Sequence, residues 1–200
     1  MTPNTLETAA LAVDQTLTQS ELDRARLYLD QTKSGIMGAL RNLSDPQWRF
    51  KPGLDRWSTA EIVEHVIFVQ ERVLGPLREK LNEAPVGPAH PDYKHVDDII
   101  IYQIPNRLTK FPTPAQPVGD FDRPHAIERL LTNYVRLNEY LETTPGLRNR
   151  SVESPPLKAV SNGAYDSMDG YQWILAVAAH TERHTKQILE VIADRNFPSD

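Results

Sequence analysis

Residues 171–192 read YQWILAVAAHTERHTKQILEVI. Trp173, Val177, Ile188 and Val191 recur on the three- and four-residue steps of one helical face, which predicts a long amphipathic helix. His180 and His184 stand in that apolar stripe, where further aliphatic residues would be expected. One helical turn separates them, so both imidazoles project the same way, about 6 Å apart along the axis. Two rings so placed can reach one metal ion. The spacing alone is weak, because six histidines produce chance pairs and hydrogen-bonded buried histidine is common. Nor is it the His-Glu-x-x-His arrangement of zinc proteases. Glu182 follows His180 by two positions, about 200° round the helix, and is poorly placed as a general base.

Working outward, three more helical stripes emerge. The first firm helix is placed from Ser20, with Asp23 three residues on, and carries Leu22, Leu29, Ile36, Leu40 and Leu43 until Asp45-Pro46. Trp48, Pro52 and Trp57 fall in the connection that follows. Ser58 and Glu61 form a capping box for a second helix with Ile62, His65, Val66, Val69 and Val73 inward, ended or kinked at Gly75-Pro76. His65 is thus a third histidine on an apolar face. The third helix runs from Asp122 through Ile127, Leu130, Tyr134, Leu137 and Leu141, with Pro124 where proline is tolerated. Asp166 or Asp169 is placed to cap the last helix. Between the second and third helices, residues 84–124 are rich in proline and read as a long excursion. Within it, VDDIIIYQI suits a short helix or a strand equally.

Four amphipathic helices with few strand signals predict an all-α fold, a four-helix bundle over residues 20–195 behind an extension at 1–19, where Leu6, Ala10 and Val13 form a weak pattern. Bundles build metal sites from inward side chains on facing helices, and His65, His180 and His184 are the candidates. Three imidazoles would leave at least one position open for a water of lowered pKa or a substrate thiolate. The chain has no cysteine, which excludes disulfides, thiolate metal sites and a cysteine nucleophile. A net charge of −5 without a long basic run argues against nucleic acid as the main partner. With neither a signal peptide nor a membrane anchor legible, the expected location is the cytoplasm.

The elements Trp57-Ser58-x-x-Glu61-x-x-x-His65, the stretch RLTKFPTPAQPVGDF, and Asp169-Gly170-Tyr171-Gln172-Trp173 leading into His180-x-x-x-His184-x-x-Gln187-Ile188 resemble the DinB-like (DinB/YfiT) superfamily. The resemblance implies up-down-down-up connectivity, a three-histidine site for a divalent metal (zinc or nickel) at His65, His180 and His184, and a homodimer. It also implies a small-molecule substrate, since characterised relatives include S-transferases and isomerases using low-molecular-weight thiols such as bacillithiol or mycothiol. A metal-dependent transferase or hydrolase activating a thiol or water is one expectation. A metal-stabilised binding or stress-response module without turnover is the other, because no base is evident beside the ligands.

Other polar residues have bland readings. Gln187, one turn beyond His184, is a candidate to orient a ligand or water. Arg183 is expected in solvent, as are His90, His95, His125 and the Asp97-Asp98 pair. Tyr171 and Trp173 read as core or pocket lining. The excursion is expected to set access to the site through Tyr93, His95, Asp97, Asp98, Tyr102 and Arg107, stiffened by proline.

Overall fold

The computed structural model describes residues 17–109, 111 and 116–199, so the pattern of Leu6, Ala10 and Val13 lies outside the described residues. Helices dominate: α1 (Gln19–Ala39), α2 (Asp45–Arg49), α3 (Thr59–Arg72), α4 (Arg78–Glu83), α5 (Tyr93–Gln103), α6 (Arg123–Thr143), α7 (Pro155–Val160) and α8 (Gly170–Ile192). The strands β1 (Ser151–Glu153) and β2 (Ser167–Asp169) form one short antiparallel ribbon with Val152 opposite Met168. The fold is all-α apart from that ribbon. No helix among the described residues is long and apolar enough to cross a membrane.

The long helices touch in a closed ring: α1 lies against α8, α8 against α3, α3 against α6, and α6 against α1. Their inward stripes supply the core. Leu29 and Ile36 come from α1, Ile62 and Val66 from α3, Leu130 and Leu137 from α6, and Ile174, Val177 and Ile188 from α8, all buried. Burial of each such side chain contributes about 1.5–3 kcal/mol, and truncating Ile188 to alanine would cost about 2–5 kcal/mol. Of the two caps the sequence left open for α8, Asp169 is the one used: its carboxylate accepts from the Gln172 amide at 2.7 Å while Gln172 Oε1 accepts from the Asp169 amide. At its first residue a side chain has no room. A Cβ on Gly170 would lie 2.7 Å from Leu147 Cδ2, and the Gly170 amide donates to Leu147 O at 2.8 Å.

Several local expectations change. α1 is capped by Thr18 with Glu21, not by Ser20 with Asp23. The longer Glu21 side chain reaches back to the Thr18 amide at 2.8 Å, a reach that aspartate at the same position lacks by one methylene. Asp45-Pro46 starts the short helix α2 rather than ending α1, with Pro46 in its first turn and Trp48 buried within it. Gly75-Pro76, expected to end or kink the second helix, distorts it without ending it. The chain widens into a π-helical turn at Val73–Leu77 that absorbs the missing Pro76 N–H, then continues as α4. VDDIIIYQI is helical, as α5, which packs on α8 through Val96 and Ile100. The proline-rich stretch is therefore a helix flanked by irregular segments.

Candidate metal centre

Ser58 caps α3 and accepts from the Glu61 amide, while Glu61 accepts from the Ser58 amide at 2.7 Å and from Lys51 at 2.8 Å. That start fixes the phase of α3, so His65 faces α8. His180 and His184, one turn apart on α8, face back. His65 Nε2 and His184 Nε2 each lie 3.1 Å from His180 Nε2. The ring centroids are 4.3–4.9 Å apart. His184 is buried, whereas His65 and His180 are partly reached by solvent. The Trp57 indole covers one side, nearly parallel to the His184 ring at 6.3 Å and tilted over His65 at 5.1 Å.

Burial holds all three imidazoles neutral. It lowers the His65 pKa to about 4. His180 and His184 fall well below the usual histidine range, through burial first; the charges of His184, His65 and Arg183 add to it at His180, and those of His65, Arg183 and Arg107 at His184, where the Gln187 hydrogen bond works the other way. On His184, Nδ1 lies 2.8 Å from Gln187 Oε1. An amide oxygen only accepts, so Nδ1 carries the proton and Nε2 turns its lone pair toward the other rings. The carboxylates nearby are engaged elsewhere. Glu64 accepts from the Val118 and Gly119 amides. Glu182 accepts from the Tyr28 hydroxyl at 2.8 Å and pairs with Lys186. Glu190 pairs with Arg107.

Two arginines bind the excursion to this end of α8. Arg183, expected in solvent, is buried and donates to the main-chain carbonyls of Ile104, Asn106 and Thr109, with Phe111 against its guanidinium. Ile104 is the C-cap of α5, and Asn106 and Thr109 lie in the irregular segment just beyond it. Arg107 donates to Gln187 Oε1 at 3.2 Å and to both oxygens of Glu190. On the α3 side, Gln116 accepts from the Trp57 indole at 3.2 Å, and Gly119 adopts φ +72° where a Cβ would crowd Glu61. Of the excursion residues expected to face a pocket, Arg107 alone reaches the histidines, through Gln187. Asp97 is buried about 15 residues of helix away, bound to Arg148 with Asp169 at the start of α8, and Arg148 stacks on Tyr93. Asp98 pairs with Arg24 on α1. His90, His95 and His125 are exposed against tyrosine or phenylalanine rings, as expected.

A family model described as the DinB superfamily matches residues 28–188. The chain belongs to that superfamily. The matched span takes in all of α3 and α6, the second half of α1, most of α8 and all three histidines. The uncharacterized protein YuaE of Bacillus subtilis (strain 168) is 23% identical over 154 residues, covering 76% of this chain and 87% of its own length. No solved structure matches.

The donor set suits a divalent cation. Nitrogen ligands at about 2.1 Å from one ion stand about 3.0 Å apart at right angles and about 3.4 Å apart in a tetrahedron. Two of the three separations, His65 to His180 and His180 to His184, are 3.1 Å and fall within that range, and the three donors all lie within 4.8 Å of one another. Among the described residues no carboxylate joins the group, and three neutral imidazoles bring no charge of their own. Sequence reasoning named Trp57 only in a connection and in the family motif, and placed Arg183 in solvent, so neither was assigned to the site. Trp57 precedes the capping box, where only the crossing of α3 and α8 brings it over His184. The Arg183 acceptors are main-chain carbonyls 74 to 79 residues earlier in the chain, which no side-chain pattern reports.

Proposed function

We propose that this DinB-superfamily protein is a metal-dependent enzyme in which His65, His180 and His184 hold one divalent cation, zinc or nickel. The observation that carries this reading is the convergence of three neutral imidazoles whose lone pairs have no carboxylate among them, at a place solvent reaches. A divalent cation there would supply Lewis acidity, lowering the pKa of a thiol or a water. The chain has no cysteine, so a nucleophilic thiol would come from a small-molecule substrate. The protein's own residues do the rest. Trp57 shields one flank of the imidazoles, Gln187 holds the His184 proton on Nδ1, and Arg107 and Arg183 give the site a positive field that favours an anionic nucleophile. The reaction is a thiol S-transfer or a hydrolysis.

One observation favours a second reading, a metal-stabilised binding module without turnover. Glu64, Glu182 and Glu190 are each bound to another partner, so none of these three is free to take a proton. Metal analysis of the purified protein should give about one ion per chain, lost in His180→Ala/His184→Ala. Retained stoichiometry in that variant would sink the site. A screen of small thiols with electrophilic acceptors then separates the readings: metal-dependent turnover supports the enzyme, and saturable binding without product supports the module.

A further inference from the structure

Gln187 can hold His184 in the useful tautomer only if its amide points oxygen-first at Nδ1. Rotated by half a turn, the same amide would offer N–H groups to Nδ1. His184 would then answer with a lone pair at Nδ1 and a proton at Nε2, the atom facing His65 and His180. Amide orientation is therefore a switch on the ligand atom. Arg107 faces that amide and has only donors. Its Nη1 lies 3.2 Å from Gln187 Oε1, while Nε and Nη2 hold Glu190 at 3.3 and 3.0 Å. Glu190 stands three residues beyond Gln187 on α8, so the guanidinium is gripped at two points of one helix face. A rotated amide would set its nitrogen against the arginine, donor against donor.

We propose that Arg107 is a positioning residue: it fixes the Gln187 amide, which fixes the proton on His184 Nδ1 and leaves Nε2 free to bind a cation. The inference rests on the metal-binding reading above. Its consequence is that the excursion and the histidine centre are one unit, because the residue that sets the ligand atom belongs to the segment between α5 and α6. The test compares the wild type with Arg107→Met, Gln187→Glu and the double variant. A carboxylate accepts through either oxygen, so Gln187→Glu has no wrong orientation and removes the need for Arg107.

In metal-free protein, the ring nitrogen shifts of His184 in 15N NMR should report a single Nδ1–H tautomer for the wild type. Arg107→Met should show a mixture, and the double variant should return to Nδ1–H. Zinc affinity measured by chelator competition should fall about 10-fold in Arg107→Met, the usual scale for groups that orient a ligand, and recover in the double variant. A role through charge alone predicts the opposite sign, since removing a cation beside a divalent ion strengthens binding. An unchanged tautomer in Arg107→Met, or no recovery in the double variant, overturns the proposal. If the wild type takes up no zinc, the metal reading fails while the tautomer measurement still decides the role of Arg107.

Discussion

Helix α8 carries two buried polar clusters of opposite character, separated by the roughly 22 Å between Asp169 and His184. At its start, Arg148 binds Asp97 at 2.7 Å, Glu21 at 2.8 Å and Asp169 at 3.0 Å, with its guanidinium between the Tyr93 and Tyr171 rings. Burial works to discharge the arginine, and the Asp97 and Asp169 carboxylates outweigh it, raising its pKa. Here the protein supplies both signs of charge. At the far end, three imidazoles aim nitrogen at nitrogen with burial lowering every pKa, and the nearby carboxylates are turned to other partners. The first cluster is complete within the chain and ties α1, α5 and the start of α8 together. The second gathers three nitrogen donors with no carboxylate among them in the described residues. Burial of polar groups thus marks function only when the set does not close on itself.

The comparison breaks most visibly at Arg148. Arg148→Met should cost about 3–5 kcal/mol of unfolding free energy, because it strands carboxylates on three elements in a buried site. An unfolding free energy from urea titration within about 1 kcal/mol of the wild type would show that the cluster is not what joins them. Chelation tests the other cluster. Removing a metal present at about 100 times its Kd should cost about 2.7 kcal/mol and lower Tm, while helical circular dichroism at room temperature persists because the apolar ring stands without it. Collapse of that signal would make the ion structural.

Acid titration sharpens the first cluster further. Burial raises the Asp169 carboxyl to about 6 against Arg148 and the Gln172 amide, which pull it down. An acid whose folded pKa is raised binds more protons folded than unfolded, so it lowers stability as pH rises from its usual 3.8 to about 6. Relative to Asp169→Asn, the wild type should lose stability across that window, by about 1–3 kcal/mol. A flat difference would place Asp169 outside the charge balance. The smallest effect is expected one residue from the buried pair. Arg24 and Asp98 approach as closely, at 2.6 Å, yet are 38% and 52% exposed. Arg24→Ala should change stability by less than about 1 kcal/mol, which isolates burial as the difference between neighbours on α5.

What the sequence made legible was whatever repeats along one helix. The stripe of α8, the capping box before His65 and the inward run of Leu130, Tyr134, Leu137 and Leu141 are local periodicities, and the structure keeps them. Bringing His65 to His180 needed two such patterns and their crossing. What stayed hidden depends on partners far along the chain. Asp97 looked solvated because its partner Arg148 lies 51 residues away. Arg183 looked solvated because its acceptors are main-chain carbonyls, which no side-chain pattern reports. The Ile99 to Ile101 run was undecidable because continuous apolar residues carry no period, and packing on α8 chose helix.

The grip on the excursion has a consequence for diversification. Arg183 holds carbonyl groups of residues 104, 106 and 109, and Glu64 holds the amides of 118 and 119. Both anchors grasp main-chain atoms, which every amino acid presents alike. Leu108 and Val118 are 90% and 67% exposed, so their side chains have no duty in the scaffold. Gly119 is the constrained neighbour, since its φ of +72° and the crowding at Glu61 admit little else. A library built at Leu108, Thr109 and Val118, with Arg107, Gly119 and Asn106 (whose Oδ1 accepts from the Leu108 amide) kept, would vary this segment while its two moorings stay fast.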